Sequence, residues 1–247
     1  EKTQEMESPA VFNASHYPDG VNANFVNSTE EQLKEKYGNG SGLFEDPEQR
    51  DIAKCKDAIL KALRQHCHLS PGCCLVDVGA GTGLFLKDFS AIIGNQGSIY
   101  ACELSDGFLG LLERLCDEEG LTNVITVKTS DTSLQLPESA KRAADLVFIC
   151  DVYHHFEYPR TFIRHIADDV IKPDTGLLVV IDFHRIPEKI WSRPPEWVLD
   201  HVRAGQDTFK QEIEESGFEY LSDVEVEGMR ENYMMTFRPR KEPTAGD

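Results

Sequence analysis

The sequence predicts an α/β fold built on a doubly wound, mostly parallel sheet of seven strands. Short apolar runs recur along the chain, as expected of strands that are buried on both faces. Segments in which apolar residues recur at helical spacing separate these runs. The last two strand-like segments, FEYLSDVEVE and NYMMTFRP, follow each other without a helical segment between them. We therefore expect the sheet to end in a C-terminal antiparallel hairpin.

The first 49 residues form a predicted N-terminal arm, or lid, without a core of its own. They are rich in Asn, Ser, Gly and Glu and contain scattered aromatic residues. Ser28 and Glu31 predict a capping box at the start of a short helix within this arm. Residues 50–240 form the predicted main domain, and residues 241–247 form a C-terminal tail.

The main domain begins with a predicted helix over residues 46–67, which Pro71 and Gly72 bring to an end. Strands are predicted at 73–78, 98–103, 123–128, 144–150 and 176–183. Helices are predicted near 83–93, 105–119, 158–171 and 203–215. This alternation is typical of a parallel sheet with helices on both faces.

Length and charge limit the classes of function. A chain of 247 residues that is 40% hydrophobic favours one large domain. It carries 43 acidic and 25 basic residues, for a formal net charge of −18. Such a field repels phosphate backbones and anionic membrane surfaces. We therefore expect a small-molecule substrate and neither a nucleic-acid nor a membrane partner, whereas the oligomeric state stays open.

No apolar run approaches the roughly 18 to 20 residues that a membrane helix needs, which predicts a soluble, cytoplasmic protein. The chain begins at Glu1 rather than Met, which leaves open the earlier removal of a targeting segment. Its seven cysteines, an odd number, predict reduced thiols. We predict no metal site, because Cys73 and Cys74 lack a second cluster that would complete a tetrahedral ligand set.

A glycine-rich turn joins the first predicted strand to the next helix. The motif VDVGAGTG contributes Gly79, Gly81 and Gly83, whose missing side chains allow unusual backbone angles and close approach of a ligand. A dinucleotide fingerprint would need its third glycine where Leu84 stands. Glu103 ends the second predicted strand, where a carboxylate can accept hydrogen bonds from ribose hydroxyls. The pattern predicts a nucleoside-type cofactor and argues against a nicotinamide cofactor.

These motifs resemble those of the class I S-adenosylmethionine-dependent methyltransferases, over roughly residues 50–240. VDVGAGTG is similar to the first motif of that family, YACELS to its ribose-binding segment, and KTSDTSLQLPE to the segment that contacts the adenine amine. The resemblance implies a Rossmann-like fold, S-adenosylmethionine as cofactor and S-adenosylhomocysteine as product. It implies that Asp131 contacts the adenine amine and that Asp77 orients the methionine portion. The implied cofactor-binding residues are Asp77, Gly79, Ala80, Gly81, Gly83, Glu103, Leu104, Asp131, Thr132 and Asp151.

The segment ADLVFICDVYHHFEYP resembles the fourth-strand motif of the same family, in the form found in small-molecule methyltransferases. Ligands of open α/β sheets bind at the carboxyl ends of the strands, so Tyr153, His154 and His155 are the catalytic candidates. A histidine can take a proton from a hydroxyl or thiol. The alternative is positioning alone, since methyl transfer needs a base only when the acceptor must lose a proton. Candidate substrate-binding residues are Tyr153, His154, Phe183, His184, His201 and Tyr233.

Additional aromatic residues are candidates for closing the acceptor pocket. Trp191 and Trp197 lie in a connection after the fifth predicted strand, and they either line the pocket or pack its cover against the sheet. Tyr17, Tyr37 and Phe44 of the arm are weaker candidates for the same role, because such aromatics more often pack than contact a ligand.

The expected reaction is transfer of a methyl group from S-adenosylmethionine to an O, S or N atom of a small-molecule metabolite. A catalytically inactive, methyltransferase-like binding subunit is one alternative, because a fold does not imply an activity. Transfer of the aminopropyl arm of the cofactor is another, although no acidic amine-binding motif follows the fourth predicted strand. A nicotinamide-dependent oxidoreductase is disfavoured by the glycine spacing.

Overall fold

The computed structural model describes residues 20–38 and 42–241. Its centre is one seven-stranded sheet with the order β3-β2-β1-β4-β5-β7-β6. The first five strands are parallel, and β7 runs antiparallel to both β5 and β6. The strands are β1 Cys74–Val78, β2 Ser98–Glu103, β3 Val124–Lys128, β4 Leu146–Cys150, β5 Leu177–Phe183, β6 Phe218–Asp223 and β7 Asn232–Pro239. The predicted Rossmann-like sheet with its C-terminal hairpin is thus confirmed.

Helices cover both faces of this sheet. In chain order they are α1 Ala23–Val26, α2 Glu30–Tyr37, α3 Asp51–Lys54, α4 Lys56–His66, α5 Leu86–Ile93, α6 Asp106–Glu119, α7 Pro159–His165, α8 Trp197–His201 and α9 Gln206–Glu215. A π-helical turn, Ile166–Val170, follows α7, and 3₁₀ turns occupy Glu138–Ala140, Tyr153–His155 and Pro187–Lys189.

Side chains that alternate between the two faces of the sheet divide the core into two layers. In β1, Val76 packs into one layer with Phe162 of α7 and Phe209 of α9. Its neighbour Leu75 packs into the other layer, which includes Phe89 of α5. Successive side chains of a strand point to opposite faces, so a run of consecutive apolar residues serves both layers at once. This explains why the parallel strands are recognisable in the sequence as unbroken apolar runs.

The described part of the arm packs against α6. Leu33 and Tyr37 of α2 form a small buried cluster with Phe108 of α6, and Phe25 and Phe44 pack around it. The rings of Tyr37 and Phe44 lie 4.4 Å apart between centroids. This apolar cluster therefore holds the arm over the carboxyl ends of β1 and β2.

Two details of the arm and the first helix differ from the sequence-based predictions. The capping box joins Thr29 to Gln32 rather than Ser28 to Glu31, because the Ser28 hydroxyl donates to the carbonyl of Asn24 at the end of α1. The predicted assignment of that box was wrong by one residue.

The helix predicted over residues 46–67 is divided into α3 and α4. The division falls at Cys55, whose φ and ψ angles of −97° and 12° depart from helical values. The first few residues of the predicted helix form turns instead. The apolar spacing of this segment therefore predicted the helical conformation correctly but not its interruption.

None of the helices in the described ranges is both long enough and apolar enough to span a bilayer. All seven cysteines fall within those ranges, and each is a free thiol. The predicted reduced state of the thiols agrees with this arrangement.

Candidate active site

The glycine-rich turn after β1 forms the floor of a cleft at the carboxyl ends of the strands. Gly79 has φ +71°, and a Cβ at this position would lie 2.6 Å from a methyl carbon of Val152. Gly81 has φ +56°, but a Cβ there would meet nothing closer than the Phe44 ring at 3.8 Å. Positive φ strains any residue other than glycine. The turn thus needs Gly79 for packing, while Gly81 borders open space that a ligand can fill.

Glu103 at the end of β2 is tied to this turn. Its Oε2 accepts the Gly81 N–H at 3.0 Å, and its Oε1 accepts the N–H groups of Leu104 at 2.7 Å and Ser105 at 2.9 Å. Burial raises the pKa of the Glu103 carboxyl, and these backbone hydrogen bonds oppose the rise. The carboxylate is therefore held in one orientation at the position where a ribose diol would donate to it.

Asp77 lies within β1, directly beneath the turn, and is 5% exposed. Burial raises the pKa of its carboxyl to about 7, and the nearby charge of Glu103 adds to the rise. A carboxyl group with this pKa changes charge readily when a cation arrives. Asp77 is thus suited to bind the ammonium group of an amino acid moiety.

The cleft has a volume of about 1050 Å³. Eight of the ten predicted cofactor-binding residues line it, namely Asp77, Gly79, Ala80, Gly81, Glu103, Leu104, Asp131 and Asp151. Gly83 does not line it. A Cβ at this position would lie 2.5 Å from Leu115 of α6, so this glycine permits packing of α6. Thr132 does not line it either, and its N–H is directed to the Ser130 hydroxyl.

The residues of the cleft fit S-adenosylmethionine. Glu103 is available for the ribose, Asp77 for the methionine ammonium group, and the exposed Asp131 at the rim for the adenine. The rings of Phe25 and Phe44 also line the cleft, and aromatic faces attract a cation such as a sulfonium.

Asp151 follows β4 and is buried with φ +53°. Its Oδ2 accepts hydrogen bonds from Arg50 Nε at 3.2 Å and Arg50 Nη2 at 3.1 Å, and its Oδ1 accepts one from Asn232 Nδ2. Burial raises the pKa of the Asp151 carboxyl to about 7, although Arg50 opposes the rise. Arg50 and Asn232 were not among the predicted site residues. No local motif marks Arg50, and Asn232 was noted only as the start of the strand-like segment NYMMTFRP.

The three catalytic candidates point in different directions from their 3₁₀ turn. Tyr153 is completely buried, and its hydroxyl donates to Glu212 Oε2 at 3.0 Å. His154 is buried as well, with Nδ1 2.8 Å from Asp182 Oδ1. Of the three, His155 lines the cleft, and its carbonyl accepts a hydrogen bond from Asn22 of the arm.

Burial lowers the pKa of both histidines of this turn. The pKa of His154 is lowered to about 3, and that of His155 is also well below its usual value. Positive charge from Arg50 acts in the same direction on both rings. Both imidazoles are therefore neutral at pH 7.

The other substrate-binding candidates lie behind the wall of the cleft. His201 is 5.2 Å from His155 between ring centroids and stacks on Trp197 at 4.3 Å. Phe183 lies edge-on to Trp197 at 5.3 Å. Trp197 therefore packs the connection after β5 against the sheet, and among the described residues that line the cleft neither Phe183 nor His201 is found.

His184 and Tyr233 form a separate pair, with ring centroids 5.3 Å apart. Lys189 Nζ donates to His184 Nε2 at 2.8 Å, and burial lowers the pKa of His184 to about 4. Neither ring belongs to the described lining of the cleft. Trp191 lies further along the same connection, and its indole N–H donates to Asp51 at 3.0 Å.

The arm contributes lining residues that the sequence did not identify as cofactor contacts. Asn22, Phe25 and Phe44 border the cleft, together with Arg50 at the start of the main domain. Phe44 was a weak candidate for closing the site, and its position supports that hypothesis. Tyr37 packs beneath Phe44, whereas Tyr17 lies outside the described residues.

Comparison with known proteins agrees with this geometry. Residues 76–177, which contain the glycine-rich turn and strands β2 to β4, match a family model described as a methyltransferase domain. The cleft, its carboxylates and this match together support a class I S-adenosylmethionine-dependent methyltransferase. S-adenosylmethionine is accordingly its cofactor.

Two relatives match the chain at low sequence identity. The chain is 26% identical over 178 residues to the ubiquinone/menaquinone biosynthesis C-methyltransferase UbiE of Shewanella pealeana. This alignment covers 62% of this chain and 68% of that enzyme. The chain is also 26% identical over 121 residues to UbiE of Pseudomonas putida, covering 48% and 45% of the two chains.

Solved structures share the fold at low sequence identity. A SAM-dependent methyltransferase from Aquifex aeolicus superposes with a TM-score of 0.66 at 20% identity, over 85% of this chain and 98% of that one. The 4+2 cyclase SpnF superposes with a TM-score of 0.60 at 18% identity, over 76% and 82% of the two chains. The fold thus also occurs in a protein whose name gives a different reaction.

Proposed function

We propose that this methyltransferase transfers the methyl group of S-adenosylmethionine to an O, S or N atom of a small-molecule metabolite. One observation carries the proposal most directly: the arm covers the cleft at the carboxyl ends of β1 and β4. Asn22 bonds to the backbone of His155, and the Phe25 ring lies edge-on to the His155 ring at 5.5 Å. A covered cleft favours a small acceptor over a polymer.

Charge supports the same choice of substrate. The formal net charge of −18 disfavours nucleic acid as an acceptor, because its phosphates would be repelled. The UbiE relatives are named as C-methyltransferases, so a carbon nucleophile belongs among the acceptors to be tested. The free thiols agree with a cytoplasmic location, which we also propose.

S-adenosylmethionine supplies the electrophilic methyl group when it is bound, and the chain supplies alignment. Asp77 would hold the ammonium group and Glu103 the ribose of the cofactor, and Phe25 and Phe44 line the same cleft, where their rings would exclude water. These contacts orient an in-line displacement. Alignment contributes more to the rate of methyl transfer than proton transfer does, because the leaving group of a sulfonium departs neutral and needs no proton.

On the acceptor side, His155 is the one catalytic candidate that reaches the cleft. Burial holds its pKa well below neutrality, so its imidazole is a weak base. We therefore assign His155 to positioning of the acceptor. Tyr153 and His154 support it from behind through their buried hydrogen bonds to Glu212 and Asp182.

Calorimetric titration of the chain with S-adenosylmethionine, S-adenosylhomocysteine and NADH tests the cofactor half of the proposal. In Gly81→Arg a long side chain enters the cleft, so both methionine nucleosides should lose binding. Gly72→Arg is the matched control, because Gly72 also has positive φ and open space around its Cβ but lies at the other end of β1. Binding of NADH alone, or equal binding by Gly81→Arg, would contradict the proposal.

A screen with labelled methyl groups then tests the acceptor half. Hydroxyl, thiol, amine and quinol metabolites are incubated with the chain, and the nucleoside product is identified by mass spectrometry. Methyl transfer leaves S-adenosylhomocysteine, whereas aminopropyl transfer leaves methylthioadenosine. Cofactor binding without turnover of any acceptor would favour the inactive binding subunit instead.

A further inference from the structure

Three histidines converge behind the acceptor side of the cleft. His154 and His155 are consecutive in the 3₁₀ turn after β4, and His201 ends α8. One ring nitrogen of each lies within 4.8 Å of those of the other two. The ring centroids are 4.2 Å, 5.0 Å and 5.2 Å apart. We propose that this histidine cluster binds a divalent transition-metal ion, with Zn²⁺ as the best match.

Two ring nitrogens of the cluster have no hydrogen-bond partner in the part of the chain that the structure describes. They are His154 Nε2 and His155 Nδ1, and both are buried. A buried polar atom left without a partner costs about 1 to 3 kcal/mol, so such atoms in a native protein need an explanation. Coordination to one metal ion would satisfy both nitrogens at once.

Asp182 prepares His154 for this role. The His154 Nδ1–H donates to Asp182 Oδ1 at 2.8 Å, and the His154 backbone N–H donates to Asp182 Oδ2 at 3.0 Å. The first bond fixes the tautomer in which Nε2 carries the lone pair. A carboxylate behind a histidine in this way is the usual outer partner of a metal-bound imidazole.

The charges around the cluster also favour a cation. Asp182 is completely buried and pairs with His154 of the cluster. The two nearby guanidinium groups are each balanced already, Arg50 by Asp151 and Arg203 by Glu212. A divalent ion held by the three histidines would therefore compensate the charge of this buried carboxylate.

The geometry requires small adjustments of the rings. Tetrahedral Zn²⁺ with bonds of about 2.0 to 2.1 Å places its nitrogen ligands roughly 3.4 Å apart. Nitrogens that lie within 4.8 Å of one another reach that spacing by side-chain shifts of about 1 Å. Three histidines with one open position constitute the ligand set of a catalytic rather than a structural zinc site.

Because His155 also lines the cleft, an ion bound by the cluster would lie beside the acceptor side. The next step rests on the proposed function. An acceptor thiol or hydroxyl that coordinates the ion releases its proton to solvent. Its lone pair then attacks the methyl carbon, and the bond between that carbon and the sulfonium sulfur breaks with its electron pair left on sulfur. The cluster would thus activate the acceptor without any strong protein base.

The sequence-based prediction of no metal site considered only the cysteine pair. Metal binding can be measured directly on chain that has been stripped with a chelator and titrated with ZnSO₄ against a chromophoric competitor. We expect one equivalent of Zn²⁺ per chain, and a tetrahedral visible absorption band when Co²⁺ is used instead. His201→Ala and His155→Ala should weaken binding at least 100-fold, and Asp182→Asn about 10- to 100-fold.

Three controls keep the test decisive. His66→Ala removes an exposed histidine outside the cluster. Cys73→Ser/Cys74→Ser removes the two thiols that are consecutive in the sequence. Both variants should bind Zn²⁺ as the parent chain does. Gly81→Arg should lose S-adenosylmethionine but keep Zn²⁺, which separates failure of the metal site from failure of the proposed function. His201→Gln replaces His201→Ala if circular dichroism shows that the alanine variant is unfolded. Less than one-fifth of an equivalent bound, or parent-like affinity in both folded histidine variants, overturns the proposal.

Discussion

The cofactor half and the acceptor half of the cleft are built by different means. In the cofactor half, Glu103 holds the N–H of Gly81, which lies 22 positions away in the chain. In the acceptor half, Asp151 is held by Arg50 across 101 positions and by Asn232 across 81. The first half is thus formed by one strand-turn-helix unit and its neighbouring strand. The second exists only after Arg50, at the start of the main domain, and the C-terminal hairpin have been brought to β4.

This difference has a consequence for stability and ligand binding. Changes in the cofactor half should act locally, through the turn and its ligand. Changes in the acceptor half should act on the whole fold, since its polar groups are buried and satisfied only by distant partners.

Arg50→Met tests the acceptor half. Removing one partner of a buried ion pair leaves the Asp151 charge uncompensated, and we expect the free energy of unfolding to fall by about 3 kcal/mol at pH 8. Loss of Arg50 raises the pKa of Asp151 further above its present value of about 7. A carboxyl with a raised folded-state pKa stabilises the fold below its unfolded pKa and loses that stabilisation as the pH rises through the folded value. The variant should therefore be less impaired at pH 6, as urea unfolding at both pH values would show.

The double variant Arg50→Met/Asp151→Asn provides the control for this prediction. It removes both charges, so much of the lost stability should return. If the two single changes instead add up in the double variant, the pair contributes nothing by its interaction, and the contrast between the halves fails at this point.

Gly79→Ala tests the cofactor half. The new Cβ would lie 2.6 Å and 2.7 Å from the two methyl carbons of Val152, and the residue would keep φ near +71°. We expect the free energy of unfolding to fall by about 2 kcal/mol and the affinity for S-adenosylmethionine to fall tenfold or more. Thermal unfolding and calorimetric titration measure the two effects.

Val152→Ala combined with Gly79→Ala shows whether the effect is local. Val152→Ala removes the two methyl groups that the new Cβ would meet, so the double variant should be more stable than the sum of the single effects predicts. Strict additivity would mean that the contact with Val152 is not the cause.

The same contrast separates what the sequence predicts from what it does not. The parallel strands begin within two residues of their predicted positions, because burial on both faces leaves an unbroken apolar run. Gly79, Gly81 and Glu103 were recognised because each belongs to a local motif. Arg50 was not, since its partner Asp151 is distant in the chain and no spacing rule connects the two.

Geometry within a turn limited the prediction of the acceptor residues. The sequence places Tyr153, His154 and His155 together at the end of β4, and it gives each an equal claim to the site. A 3₁₀ turn has three residues per turn, so consecutive side chains point about 120° apart. Only the direction taken by His155 leads to the cleft in the described structure, while the other two side chains enter buried hydrogen bonds with Glu212 and Asp182.

The pH dependence of cofactor binding gives a smaller and separate test of the cofactor half. The pKa of Asp77 is raised to about 7, and an ammonium group binds the ionised carboxylate. Below pH 7 a proton must leave before the cofactor binds, so the affinity for S-adenosylmethionine should rise about tenfold per pH unit up to that value and then level off. Calorimetry between about pH 5.5 and about pH 8.5 measures this slope.

Two controls identify the group responsible. Methylthioadenosine lacks the ammonium group, so its affinity should change little over the same range. Asp77→Asn should bind S-adenosylmethionine more weakly and without the slope. A slope that persists in Asp77→Asn would assign the titration to another buried carboxyl, such as Asp151.

The smallest effect is expected where the arm begins its helix. Gln32→Ala removes the side chain that accepts the Thr29 N–H at 2.9 Å, and we expect a loss of about 0.5 kcal/mol that is confined to α2. Hydrogen exchange of the α2 amides should accelerate while those of β1 and β4 stay unchanged. Glu31→Ala is the matched control, because Glu31 occupies the position that the sequence predicted for this role and is exposed. Equal acceleration in the two variants would support a capping box formed by Ser28 and Glu31. The expected difference would show that the arm can loosen at its N-cap without disturbing the sheet beneath it.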